Sequence, residues 1–117
     1  MDNPQIKPGA TVDVQCLGAE QQTLLVKTHN IKIVHFVIPV GQTIPTHEAQ
    51  GEIILHCLQG RVSLAALGTN QELKAGQLSY FCVDEPVSIQ AIEHASLIVT
   101  IIAAKEGENV ELIGDKE

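Results

Sequence analysis

Tryptophan is absent from this 117-residue chain, and one tyrosine and two phenylalanines are its only large aromatics. Ile, Val and Leu therefore have to fill the interior, and β-branched side chains suit pleated strands. Basic residues are scarce too: 7 Lys and Arg stand against 14 Asp and Glu, a formal charge of −7, and the cations are scattered singly. Such a chain repels phosphate backbones, which excludes nucleic acid as an expected partner. Cysteine occurs three times, at Cys16, Cys57 and Cys82, an odd set with no C-x-x-C pair. Neither a disulfide framework nor a thiolate zinc knuckle is expected from it, and a reducing cytoplasm is the expected compartment. Long apolar runs are missing as well. Polar residues break up the stretches around 53–55 and 97–104, and the first nine residues are polar with two prolines. Neither a signal peptide nor a membrane span is expected.

What is present is enough for one core. Hydrophobic residues make up 44% of the chain and charged residues 18%, which suits a soluble globule of a single domain and is too apolar for a disordered chain. Turn signals fall at Pro8-Gly9, Gly18, His29-Asn30, 39–41, Gly60, 68–70, Ala75-Gly76 and 84–86. Between them lie eight short apolar segments, at 12–17, 23–28, 31–38, 52–58, 62–67, 77–83, 87–91 and 96–103. That spacing predicts an all-β sandwich or barrel, and no segment holds a helical period for three turns. The boundaries read as an N-terminal arm over 1–9, a barrel over 10–104 and an acidic tail over 105–117 that is either frayed or carries a short strand at 110–113.

Segment 31–38 alternates Ile31, Ile33, His35 and Val37 on one face with Lys32, Val34, Phe36 and Ile38 on the other. Both faces are largely apolar, as they are in 52–58 and 97–102. An antiparallel strand with one wet face should alternate polar and apolar residues, so these strands are expected to be covered twice. The expected second cover is another copy of the chain in a homodimer.

The run Gly41-Gln-Thr-Ile-Pro-Thr-His47, followed thirteen residues later by Gly60, resembles the first conserved motif of cupins. Downstream, Leu73-Lys-Ala-Gly76-Gln-Leu and then Glu85-Pro86-Val87 resemble the second, in which a glycine-aspartate turn leads a strand toward a Pro-His pair. The resemblance spans about residues 31 to 102. It implies a small single-domain cupin of the RmlC-like kind: an all-β double-stranded β-helix, or antiparallel jelly-roll barrel, of six to ten strands. Gly60 is expected to permit a tight hairpin between two of them.

Cupins commonly hold divalent iron, manganese, nickel or zinc through three histidines and one glutamate. By resemblance, His47 keeps the first histidine, the second falls on Ala49, the glutamate on Ile53 and the last histidine on Val87. Three of the four positions thus carry side chains with no donor atom, and no metal or other cofactor is expected. The one remnant set the resemblance leaves is His47 with Glu52, joined by His35, His56 or Cys57. Glu52 stands one residue before the expected glutamate and reaches the interior only if a bulge at Gly51 shifts the alternation. Against these ligand readings stand blander ones. Glu52 accepts hydrogen bonds or faces solvent at a strand start, while His35 and His56 are packed, hydrogen-bonded histidines on apolar strand faces. Cys57 and Cys82 read as small buried hydrophobes, and His29 and His94 as surface residues. Continuing the alternation from Ile53 puts Leu55 and Cys57 on the cavity side and turns His56 away.

No G-x-S-x-G elbow and no phosphate-binding glycine loop is present. The leading expectation is a homodimeric barrel, structural or binding a small organic ligand, with a pocket lined by His47, Ala49, Ile53, Leu55, Cys57 and Val87. The alternative is a cupin enzyme of the isomerase, epimerase or oxygenase type, with or without metal, using His47 as ligand or general base and Glu52 beside it. Whether the chain is an enzyme, and on what substrate, stays open at this level, because one barrel hosts many chemistries.

Overall fold

In the computed structural model, residues 6–45, 51–66, 68–82 and 87–103 are described. They form nine strands: β1 Gln22–Lys27, β2 Ile31–Ile38, β3 Thr43–Pro45, β4 Gly51–Gln59, β5 Arg61–Ala66, β6 Thr69–Lys74, β7 Leu78–Phe81, β8 Ser88–Ala91 and β9 Ala95–Ala103. A five-stranded sheet has the order β1-β2-β9-β4-β7, a four-stranded sheet the order β3-β8-β5-β6, and every pairing in both is antiparallel. The fold is the expected all-β one. No helix among the described residues is long and apolar enough to cross a membrane.

The two sheets face each other across a core built almost wholly of aliphatic side chains. Ile53, Leu55, Cys57, Leu97 and Val99 come from the five-stranded sheet, and Val62, Leu64 and Ile89 from the four-stranded one, all at most 2% exposed. Burying each such Ile, Leu or Val contributes about 1.5–3 kcal/mol, which is how the chain manages with almost no aromatics. Phe36, Ile44 and Ile101 pack on the rim of this cluster.

Three local expectations need correcting. Residues 12–17 are not a strand: Val14–Cys16 make a single 3-10 turn, because the Asp13 carboxylate accepts a hydrogen bond from the Gln15 amide at 3.0 Å. An Asp that satisfies nearby backbone donors offers the chain an alternative to strand pairing. Gly60 is not at a hairpin tip, since β4 and β5 belong to different sheets. It marks the corner where the chain crosses from one sheet to the other, with φ of +77°, and a Cβ there would strike the His94 carbonyl oxygen. Finally, two strands lie outside the expected segments, the three-residue β3 and the polar β6. The β6 sequence, TNQELK, buries only Leu73, because it is the outer edge of its sheet with one side chain in the core.

Candidate functional site

Strand β4 carries most of the predicted site, and its pairing decides which way each residue points. Its partners on β9 run without a break from Gly51 opposite Ala103 through Glu52 opposite Ile102 to Cys57 opposite Leu97. Strict alternation then turns Gly51, Ile53, Leu55 and Cys57 inward and Glu52, Ile54, His56 and Leu58 outward, which matches their burial. Gly51 is needed where it stands, because a Cβ would run into the Ile102 carbonyl. Val87, just before β8, is also inside at 2% exposure. Ile53, Leu55, Cys57 and Val87 therefore join one apolar cluster. The single polar group among them, the Cys57 thiol, donates to the Gln59 carbonyl at 3.3 Å and the Gly60 carbonyl at 3.6 Å. Burial pushes this thiol's pKa up, so it stays protonated and a poor nucleophile. His47 and Ala49 lie outside the described residues, as do Glu85 and Pro86.

The bulge at Gly51 that would have turned Glu52 inward is not there. The irregularity in β4 lies between Cys57 and Gln59 instead. Glu52 is exposed on the outer face, where its Oε1 accepts a hydrogen bond from the Tyr80 hydroxyl at 3.1 Å. The Cys82 thiol in turn donates to that hydroxyl at 3.7 Å. Hydrogen bonding with Cys82 and with Glu52 pushes the Tyr80 phenol up to about 12. Cys82 is exposed, so the expectation of a buried residue is corrected for it and holds for Cys57. Sequence reasoning passed over Tyr80. Only the pairing of Ile54 with Tyr80 brings β7 beside Glu52.

His35 and His56 also occupy the outer face. His35 pairs with Ile98 on one side of β9 and His56 with the same Ile98 on the other. Ile98 stands between them, and two strand spacings set their backbones about 10 Å apart. His35 is buried and its pKa is lowered by desolvation, whereas His29 and His94 are exposed as expected. Among the described residues, no three His, Cys, Asp or Glu side chains gather into a metal-holding group.

A cavity of about 210 Å³ opens at the seam where the edge strands β1 and β3 of the two sheets meet. Gln22, Phe36, Ile38, Gln42 and Ile44 are among its walls. Phe36 and Ile38 could be read from the alternation of β2. Gln22 and Gln42 could not, because nothing in their own segments marks them as facing a cavity.

No family model matches the chain, and no curated protein does. Solved structures do match. A conserved protein of unknown function from Streptococcus pyogenes superposes with a TM-score of 0.74 at 18% identity, over 91% of this chain and 98% of that one. A cupin superfamily protein from Desulfitobacterium hafniense gives 0.74 at 10% identity, over 89% and 100%. An RmlC-like cupin from Desulfovibrio desulfuricans gives 0.63 at 23% identity, over 87% and 96%. The chain has the cupin fold, an RmlC-like antiparallel β-barrel, as its glycine and histidine spacing led us to expect. At these identities the likeness extends to the fold and no further.

Proposed function

We propose that this cupin-fold chain is a metal-independent, non-catalytic barrel that works as a homodimer and takes a small organic molecule at its mouth. The observation that carries the reading is the fate of positions 53 and 87. Where the resemblance calls for a glutamate and a histidine, Ile53 and Val87 sit 1% and 2% exposed, wedged into the aliphatic core. An ion there would have no donor from either and would lose its hydration, a cost that burial of a charge without partners cannot recover. The seam cavity, with Gln22 and Gln42 over Phe36 and Ile44, suits a compact, largely apolar ligand with one or two hydrogen-bonding groups. A reducing compartment such as the cytoplasm suits the buried Cys57 thiol.

The enzyme reading with Glu52 as an interior acid or base loses support from the outward direction of that side chain. The dimer draws support from the outer face of the five-stranded sheet. Ile33, Ile54, Ile98 and Ile102 are only half-buried there, and Leu78 and Tyr80 are 64% and 56% exposed. Two copies of a chain with net charge −7 repel, and this face, whose one acid along β4 is Glu52, is where they can meet with least repulsion.

Metal analysis of the protein purified without chelator tests the central claim. Less than about a tenth of an equivalent of iron, manganese, nickel and zinc is expected, and one equivalent of any of them would sink the reading. A light-scattering mass of 12.6 kDa, that of a single chain, would sink the dimer.

A further inference from the structure

The outer face of the five-stranded sheet holds a second cavity, of about 380 Å³, on the opposite side of the sheet from the packed interior. Residues from the segment 14–19 roof it, and β2, β4 and β9 supply its floor. Its polar lining is Gln15, His35, Gln59, His94 and Ser96, and among the described residues no Lys, Arg, Asp or Glu contributes to it.

Two independent features show that this space is built. His35 is 3% exposed, and its Nδ1 is buried without any hydrogen-bond partner. A buried polar nitrogen left unpaired costs the fold unless something bonds it, so its retention on a strand face otherwise made of Ile31, Ile33 and Val37 needs a reason. The second feature is the irregularity in β4. Ser96 pairs with Gln59 and not with Leu58, so one residue is inserted between Cys57 and Gln59. Without that insertion Leu58 would face Ser96 and Gln59 would turn toward the core. With it, Leu58 and Gln59 both line the cavity. A bulge that re-aims a side chain is a recurrent device next to binding sites.

We propose that this cavity binds a small uncharged carboxamide or lactam, held by His35, Gln59 and Ser96, at a site separate from the barrel interior and the seam. The lining selects that chemistry. Gln15 and Gln59 each present an amide donor beside an amide acceptor, and a carboxamide or lactam returns the same pair in complementary order. Burial keeps the His35 imidazole neutral, so it offers one acceptor and one donor rather than a charge. A carboxylate or ammonium ligand finds no counter-ion here, and its desolvation would be uncompensated. Leu17, Val37 and Leu58 give the apolar wall against which a flat ring or short chain packs.

The test uses the full chain, isotope-labelled, titrated with nicotinamide and with uracil as neutral probes and with nicotinate and orotate as their carboxylate counterparts. Saturable NMR shifts are expected at the His35 imidazole and at the Gln59 and Ser96 amides with at least one neutral probe, and binding of the matching carboxylate at least tenfold weaker. Ser96→Ala and the exposed-site change Gln59→Leu, both expected to keep the fold, should each weaken binding tenfold or more. The proposal is overturned by absence of saturable shifts with both neutral probes, by equal binding of the carboxylates, by shifts centred instead on Phe36 and Ile44, or by unchanged affinity in both variants.

Discussion

Both faces of the five-stranded sheet are largely apolar in sequence, and they differ completely in circumstance. Along β4 and β9 the inner face carries Ile53, Leu55, Cys57, Leu97 and Val99, all at most 2% exposed. One residue out of phase with them, Ile54, His56, Ile98 and Thr100 are left half-buried. The inner face has a second sheet over it. Among the described residues, the segment 14–19 lies over one end of the outer face, above His35 and Ser96. The comparison teaches that hydrophobicity does not by itself say which face is the core, and that an apolar face left over after folding is where recognition has room to occur.

The largest expected effect comes from breaking the inner face. Leu55→Ala or Leu97→Ala removes a fully enclosed side chain, and urea unfolding should show a loss of about 2–5 kcal/mol with an unchanged slope. A loss below about 1 kcal/mol would mean that the inner face is not the packed core. On the outer face, Ile98→Lys is expected to halve the light-scattering mass and to remove the dependence of Tm on protein concentration, while a single chain stays folded. Should the variant keep the wild-type mass, the outer face is not where two copies meet.

His35 gives a smaller effect with a definite sign. Desolvation lowers its native pKa below the ordinary 6.5, so the unfolded chain binds this proton more readily than the native one. The neutral imidazole's contribution is fully present above pH 6.5 and is lost as the pH falls from there through the lowered native value. Tm should therefore drop between about pH 7.5 and pH 5.5, and His35→Leu should flatten that drop. His29, His47, His56 and His94 remain in the variant, so an unaltered profile would show that His35 is not the source of the drop.

The smallest effect is spectroscopic and involves the outer rim. Tyr80 is the single tyrosine and there is no tryptophan, so its phenolate absorbance is free of overlap. With its midpoint pushed up to about 12, the phenol should stay mostly neutral in the native protein at about pH 11 and be mostly ionised in urea. Glu52→Gln should move the native midpoint down, and no movement would show that Glu52 does not hold this hydroxyl.

Much of the fold was legible because it rests on local chemistry. The alternation of 31–38 gives β2 residue for residue, and the strands at β4, β5, β8 and β9 fall within a residue or two of their apolar segments. Where the reading failed, a competing local rule or a missing signal was responsible. Asp13 capping turned 12–17 into a 3-10 turn, and polar β6 offered almost no hydrophobic signal. The candidate site was less legible. The replacements at positions 53 and 87 were visible as residue types, but the direction of Glu52 hung on whether a bulge lay at Gly51, and a shift of one residue reverses every side chain beyond it.

The sequence by itself determined an aliphatic all-β barrel, a −7 charge unsuited to nucleic acid, and the absence of donor atoms at three of the four positions where the resemblance expects metal ligands. Composition and period set these things, and both belong to the chain before it folds. Tertiary structure alone decided that Glu52 points away from the core, that His35 and His56 stand on either side of Ile98, and that Gln59 and Ser96 meet beside an unpaired imidazole nitrogen. The reason is physical: each of these depends on which strands pair and in what register, a property of residues far apart in sequence that no local pattern carries.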